Sequence, residues 1–250
     1  MKLLDGNVAE SGPLEMQSLD WEAPELCLPD MSFVNLLRKS SNGRIFRVYW
    51  QDKDCVLKVY HYADLEQELE GMPLNELDQY GSFNCESRAY CRLKSHGLCE
   101  RGSIPDFYGV IRDIDPLADT AWKPHLQCFY DKQERPSAVL IKYIPDIRTI
   151  DLSNFSKEIG EKFNKTLAEI HNALVLHGDH FPRNMVVQDC TNKAFWIDFD
   201  RAQTYTPGDI TDRHLGWFKQ ERDDIEWFAK AMADDCDEGK INSTQYFYYN

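Results

Sequence analysis

The stretch "HGDHFPRN", residues 177–184, places an aspartate and an asparagine five positions apart within a short polar segment. Two short apolar runs follow it, "MVVQ" at 185–188 and "AFWI" at 194–197. Apolar runs of this length that are bounded by polar turn residues predict β-strands. The segment is therefore either a capped polar turn or a catalytic loop in front of a two-strand ribbon. The residues around it decide between these alternatives.

Long helices are predicted on both sides of this loop and its strands. Between 153 and 178 apolar residues recur at helical spacing, with Ser153 as the expected N-cap and Gly178 just past the helix end. The stretch "ERDDIEWFAKAMADD", residues 221–235, is amphipathic with the same period. We therefore predict a mainly helical second half that contains one two-strand ribbon.

The first half of the chain has the composition of β-strands. Five runs rich in β-branched and aromatic residues are separated by polar connections, among them the turn-like "SSNG" and "QDKD". The runs lie at about 32–38, 44–50, 54–60, 104–114 and 137–144. One helical pattern, "FNCESRAYCRLKSHG" at 83–97, lies between the third and fourth runs. The order predicts an α+β fold, with a five-stranded antiparallel sheet and one helix before the helical half.

These patterns divide the chain into three parts. Residues 1–30 carry prolines and acids without a sustained period, and we expect a flexible N-terminal extension. Residues 31–144 hold the sheet, with an acidic insertion near 63–80. Residues 145–250 form the helical part that contains "HGDHFPRN".

Composition excludes several classes of partner. The formal net charge is −14, and a chain this acidic without a dense Lys/Arg cluster repels nucleic-acid phosphate. No apolar run approaches the length of a membrane span, and the stretch "MKLLDGNVAESG" has no secretory pattern. The eight cysteines form no Cys-x-x-Cys pair, which indicates reduced thiols. We expect an intracellular protein, cytoplasmic or nuclear, without a nucleic-acid or membrane partner.

Four motifs occur in an order that resembles the protein-kinase-like superfamily. "CVLKVY" resembles the strand that carries the phosphate-binding lysine, here Lys58, and "CESRAYCRL" resembles the helix with its partner glutamate, Glu86. "HGDHFPRN" resembles the catalytic loop, with Asp179 and Asn184 in register. "WIDFD" resembles the magnesium-binding turn, with Asp198 as its first acid. The motifs together cover the chain from about residue 32 to 235.

The resemblance implies a two-lobed kinase fold with a shortened helical C-lobe, and an ATP- and Mg²⁺-dependent phosphotransferase with a hydroxyl acceptor. Asp179 would orient the acceptor hydroxyl. Asn184, Asp198 and Asp200 would hold Mg²⁺ through oxygen ligands. Lys58 would bind nucleotide phosphates and be held in place by Glu86.

The segment that resembles the glycine-rich loop departs from the family pattern. "SSNGRIFRV" keeps Gly43 and Val48, but Ser41 and Phe46 stand at the outer glycine positions. Ser41, Gly43 and Val48 are the expected nucleotide contacts on this segment, although a phenylalanine hinders close approach of backbone to phosphate. This departure leaves an alternative open, a pseudokinase or scaffold that binds nucleotide weakly or not at all.

Other residues leave the acceptor undecided and suggest supporting roles. Gly178 and Asp200 resemble the aminoglycoside and choline kinase branch, whereas Pro182 resembles the protein-kinase branch. The acceptor is therefore either a protein Ser/Thr or a small molecule. His177 is expected to brace the loop. Asp224, with Asp223 as a rival, resembles the carboxylate that caps the loop backbone.

Overall fold

The computed structural model describes residues 22–40, 43–61, 81–130 and 135–249. Three predicted features lie wholly or partly outside these ranges: the acidic insertion near 63–80, Ser41, and residues 1–21 of the N-terminal extension.

The described chain has an α+β fold built on a five-stranded antiparallel sheet, as predicted. Its strands are β1 (Met31–Lys39), β2 (Gly43–Trp50), β3 (Lys53–Tyr60), β4 (Phe107–Ile111) and β5 (Ser137–Lys142). They are arranged in the order β1-β2-β3-β5-β4, and every neighbouring pair is antiparallel.

The register of the sheet decides which side chains share a face. Ile45 on β2 pairs with Lys58 on β3, and Phe46 pairs with Leu57. Because side chains alternate along a strand, Ile45 and Lys58 lie on one face while Phe46 and Leu57 lie on the other. Leu57 is fully buried there. Lys58 lies on the opposite face of the sheet, from which it approaches the helical half.

One helix packs against the sheet and positions an acid beside Lys58. Helix α1 (Ser82–Ser95) is followed by the single-turn helix α2 (Leu98–Arg101). Tyr90 of α1 is fully buried, and its ring stacks on Phe107 of β4 at a centroid distance of 5.3 Å. Glu86 lies one helical turn before Tyr90, so the same packing directs it into the interior.

The second half combines helices with short strands. Its elements are β6 (Ile147–Thr149), α3 (Lys157–Asn172), β7 (Val175–Leu176), β8 (Met185–Gln188), β9 (Lys193–Trp196), β10 (Gln203–Thr204), α4 (Asp212–Glu238) and α5 (Gln245–Tyr249). Strands β6, β8 and β9 form one small sheet, and β7 pairs with β10. Among the described helices none is both long and apolar enough to cross a membrane.

The prediction that Ser153 caps the long helix was wrong. The N-cap of α3 is Ser156, whose hydroxyl accepts a hydrogen bond from the Ile159 amide at 3.2 Å. Ser153 instead belongs to the preceding turn, where its hydroxyl donates to Asp151 at 2.5 Å. Both serines have the right side chain for a cap, and only the chain path selects one of them.

A single hydrophobic cluster joins the sheet to the helical half. It includes Tyr90 from α1, Val139 from β5, Phe163 from α3 and Phe228 from α4. Phe199, which follows β9, meets Tyr90 edge to face at 5.3 Å. This shared packing fixes the two halves around the space between β3 and the loop after β9.

The described part of the N-terminal extension contacts the sheet edge. Glu25 forms a parallel bridge with Val110 of β4, and the Leu26 amide donates to the Val110 carbonyl at 2.7 Å. Leu28 is buried in the cluster on the outer face of the sheet.

Candidate functional site

The structure brings Lys58, Glu86 and Asp198 together, although they come from β3, α1 and the loop after β9. Lys58 Nζ lies 2.6 Å from Glu86 Oε1 and 2.6 Å from Asp198 Oδ1. Burial alone would lower the pKa of Lys58, but the attraction of Asp198 and Glu86 outweighs it and raises that pKa. Lys58 therefore remains a fixed cation inside the protein.

Glu86 is held by more than the lysine. The Tyr60 hydroxyl donates to Glu86 Oε2, and the Phe199 amide donates to Oε1 at 3.3 Å. Glu86 is fully buried. Burial raises the pKa of its carboxyl, and the hydrogen bonds from Lys58 and Tyr60 oppose that rise. The carboxylate thus ties α1 to β3 and to the turn after β9.

Asp179 and Asn184 contact each other across the loop, although they are five positions apart in the chain. Asn184 Nδ2 donates to the Asp179 carbonyl and to Asp179 Oδ2, both at 2.8 Å. A 3₁₀ turn at Pro182–Asn184 brings the two residues together. Arg183, which the sequence reasoning did not single out, donates to both carboxylate oxygens of Asp179. The aspartate is buried, so its orientation is fixed by these neighbours.

The backbone of this loop is capped by Glu221, and not by Asp224 or Asp223 as predicted. Glu221 accepts from the His177 amide at 3.2 Å and from the Gly178 amide at 2.7 Å. Asp224 instead contacts His180 at 3.0 Å, and the exposed Asp223 pairs with Lys219. Three nearby acids on one helix look equivalent in sequence, and only burial against the loop distinguishes Glu221.

Two histidines surround the same carboxylate. His171 Nε2 lies 2.8 Å from Glu221 Oε2, and His180 Nδ1 lies 3.3 Å from Oε1. Burial alone would raise the pKa of Glu221, but His171 and His180 outweigh it and hold that pKa well below its usual range. The charged form of Glu221 is therefore the one that anchors the loop to α4.

His177 occupies a bracing position. It is fully buried, its Nε2 lies 3.2 Å from the Ile197 carbonyl oxygen, and its ring lies between Trp196 and Phe199. Burial lowers its pKa, which favours the neutral ring. His177 thereby links the loop to the segment that carries Asp198.

Asp198 and Asp200 bring two carboxylates to the same cleft. Burial alone would raise the pKa of Asp198, but Lys58 outweighs it and lowers that pKa. Burial, followed by the negative charge of Asp198, raises the pKa of Asp200 to about 7. The raised pKa of Asp200 disfavours its charged form beside Asp198. A bound cation would therefore stabilise the charged forms of both carboxylates.

The donor chemistry of this site fits magnesium. Asp198, Asp200 and the side-chain oxygen of Asn184 are hard oxygen donors of the type Mg²⁺ prefers. In the described ranges no group of three or more His, Cys, Asp or Glu side chains is arranged to hold a metal. Asp198 and Asp200 line the cleft, whereas Asn184 is not among its lining residues and its side-chain amide contacts Asp179. Two carboxylates make an incomplete shell, which suits an ion that keeps water and phosphate ligands.

The nucleotide contacts that were predicted on the segment "SSNGRIFRV" do not all line the cleft. Val48 is fully buried on the outer face of the sheet and does not line the cleft. Gly43 does line it, but a Cβ there would lie 2.1 Å from the Val59 carbonyl oxygen, so close strand pairing already requires this glycine. Phe46 also lies on the outer face, where it meets Phe33, and therefore leaves the cleft open.

The cleft between the sheet and the loop has a volume of about 250 Å³. Among the described residues, the acids that line it are Asp179, Asp198 and Asp200, and Lys58 lies among them. Four arginines also line it, namely Arg38, Arg44, Arg183 and Arg201. The cleft is thus rich in cations although the whole chain carries a net charge of −14.

The chain matches no protein-family model, and no curated protein matches it.

Proposed function

We propose that this protein is an ATP- and Mg²⁺-dependent phosphotransferase with a two-lobed, protein-kinase-like fold. The observation that carries the proposal is the meeting of Lys58, Glu86 and Asp198 in one buried ion-paired group at the edge of a cleft that Asp179 also lines. Phosphoryl transfer needs a fixed cation for phosphate, an oxygen site for a metal and an acid that orients the nucleophile. The cleft supplies each type of group.

The roles follow from the contacts. Lys58, held rigid by Glu86, binds nucleotide phosphates without a cost of reorganisation. Arg38 and Arg44 add positive charge from β1 and β2, at the place where a glycine-rich backbone is missing. Asp179 receives the proton of the acceptor hydroxyl, and Asn184 orients its carboxylate through the 2.8 Å hydrogen bond.

In the proposed function Asp198, Asp200 and Asn184 would hold Mg²⁺. Mg²⁺, when bound, would neutralise the charge of the phosphates. Asp198 contacts Lys58 as well, so the metal site and the phosphate cation share one carboxylate. A change at either residue is therefore expected to affect both.

A scaffold that does not use nucleotide is the second candidate, and one observation favours it. The close approach that Gly43 allows is taken up by the Val59 carbonyl of the neighbouring strand. No glycine in the described part of this segment is then reserved for contact with phosphate. The cations of the cleft favour the phosphotransferase, because a scaffold that does not bind nucleotide does not need a buried lysine such as Lys58.

Nucleotide binding separates the two candidates. A ligand that binds the native state must raise the thermal midpoint. We expect Mg²⁺-ATP to raise the midpoint of the wild type and of Lys219→Met, an exposed lysine on α4, and to have little effect on Lys58→Met. Absence of a shift in the wild type at millimolar Mg²⁺-ATP would favour the scaffold.

A further inference from the structure

Asp179 is already paired with a cation. Arg183 Nε donates to Asp179 Oδ2 at 3.1 Å, and Arg183 Nη2 donates to Oδ1. The Asp179 side chain is only 9% exposed, whereas that of Arg183 is 42% exposed. A hydroxyl that approaches Asp179 from the cleft therefore meets the Arg183 guanidinium.

A second arginine, Arg201 in the loop after β9, lines the same cleft. Gly178 has a φ of +76°, and a Cβ on it would lie 2.3 Å from the Arg201 carbonyl oxygen. The absence of a side chain at Gly178 thus lets the Arg201 backbone lie against the catalytic loop. Arg201 is exposed and lines the cleft with Arg183.

The other cations of the cleft have different positions. Lys58 is paired with Glu86 and Asp198. Arg44 donates to the carbonyls of Ser40 and Gly43, at 2.9 and 2.8 Å, so it belongs to the turn between β1 and β2. Arg38 acts on the charge of Asp198. Arg183 contacts Asp179 directly, and the Arg201 backbone lies against Gly178, so these two arginines adjoin the loop where the acceptor must bind.

We propose that the acceptor is a small alcohol that carries an anionic group, a phosphate or a carboxylate, near its hydroxyl. This inference rests on the proposed phosphotransferase function. Guanidinium groups bind both anions through two parallel hydrogen bonds. The anion of the acceptor takes the place of the Asp179 carboxylate on Arg183, with Arg201 as a second contact. Asp179 is then available to the hydroxyl.

The transfer step then forms one bond and breaks another. The hydroxyl oxygen bonds to the γ-phosphorus of ATP, and the bond from that phosphorus to its bridging oxygen breaks. ADP leaves with the electron pair, and the hydroxyl proton passes to Asp179. An acceptor without an anion leaves Arg183 on Asp179, so it is a poorer substrate.

The segment after Asp198 favours a small acceptor over a peptide. β10 pairs with β7, and the Tyr205 amide donates to the Leu174 carbonyl at 2.9 Å, which ties the segment back to the base of the catalytic loop. Helix α4 then begins at Asp212. Residues 199–211 are thus too few and too closely bound to form a platform for an extended peptide.

Matched pairs of alcohols test the proposal. Glycerol 3-phosphate is compared with glycerol, glucose 6-phosphate with glucose, and glycerate with glycerol. A serine peptide with two following glutamates is compared with its alanine counterpart. Transfer from radiolabelled ATP and calorimetric binding with Mg²⁺-ADP are measured on the wild type, Arg183→Gln, Arg201→Gln and the double variant. Arg222→Gln, an exposed arginine on α4 outside the cleft, is the control.

The wild type and Arg222→Gln should prefer an anionic alcohol to its neutral parent by roughly tenfold or more, the scale of one charged hydrogen-bond pair. The double variant should lose that preference. Equal use of neutral parents, binding of no anionic alcohol at millimolar concentration, a preference that survives in the double variant, or use of the acidic peptide alone would each overturn the proposal. ATP turnover without acceptor reports separately on the proposed function.

Discussion

At the scale of single residues, the site depends on a buried carboxylate that serves three partners. Glu86 accepts hydrogen bonds from Lys58, Tyr60 and the Phe199 amide. Removing one member of a buried ion pair leaves the other charge uncompensated, which costs more than the pair itself contributes. The effect of Glu86 should therefore appear in stability as well as in activity.

Glu86→Ala should lower the free energy of unfolding by about 3–5 kcal/mol. Its control is Glu100→Ala on α2, where the side chain is exposed and the change should stay within about 0.5 kcal/mol. Urea unfolding of both variants measures the difference. Equal stability of the two would mean that Lys58 and Glu86 do not form the buried pair.

Individual site residues were predictable to different degrees. Lys58, Glu86, Asp179 and Asp198 could be selected because each lies within a motif and the motifs occur in a fixed order. Glu221 could not be selected, since its role depends on packing against a loop more than 40 positions away in the chain. The role of Arg183 likewise depends on the turn that folds it back on Asp179.

At the scale of elements, the loop at 177–184 is held to its neighbours by a close backbone contact and by a group of charged side chains. Gly178 combines a left-handed φ of +76° with close contact to the Arg201 carbonyl, so it has two reasons to be glycine. Gly239, just past α4, has a φ of +70°, but beyond its chain neighbours a Cβ on it would meet no described residue within 4 Å. Substitutions at Gly178 and Gly239 therefore distinguish the cost of a left-handed backbone from the cost of a steric clash.

Gly239→Ala should lower the free energy of unfolding by about 1–2 kcal/mol, the usual cost of a left-handed residue with a Cβ. Gly178→Ala should cost clearly more, and it should also reduce ATP turnover because the loop must move away from Arg201. Thermal unfolding and turnover assays of both variants test this. Similar values for the two variants would contradict the close contact.

The contact between the loop and α4 should depend on pH through His180. Burial alone would lower the pKa of His180, but Glu221 and Asp224 outweigh it and raise that pKa. A raised pKa in the folded state gives stability that is present below the unfolded pKa of about 6.5 and is lost as pH rises through the folded value. Urea unfolding from pH 6 upward should show this loss in the wild type. His180→Asn should lack it, and an identical pH profile for both proteins would exclude the contribution.

Most elements could be predicted because five strand runs and three helical patterns are long enough to show a period. Strands β7 and β10 have two residues each and show none. The start of α4 at Asp212 was missed because the residues before 221 are largely polar and exposed. The resemblance to a glycine-rich loop predicts that Val48 lines the cleft. The pairing of Ile45 with Lys58 places Val48 on the opposite face of the sheet, because side chains alternate along a strand and Val48 lies three residues after Ile45.

At the scale of the whole molecule, charge is distributed unevenly. The chain carries a net charge of −14, yet Lys58 and four arginines line one cleft between the sheet and the helical half. Among the described residues that line the cleft, these five cations outnumber the three acids, and such a local excess of positive charge attracts anions. The hydrophobic cluster joins the sheet and the helical half on either side of this cleft.

Release of phosphate from ATP in the presence of Mg²⁺ tests the central proposal most directly. The wild type should turn over ATP slowly without an acceptor, through the fraction of molecules in which Arg183 has left Asp179 and water takes the place of the acceptor. Asp179→Asn should reduce that rate by about 10²-fold or more, the usual size of a general-base contribution. Asp223→Asn, an exposed acid on α4, should match the wild type. Equal rates for the wild type and Asp179→Asn would contradict phosphoryl transfer at this cleft.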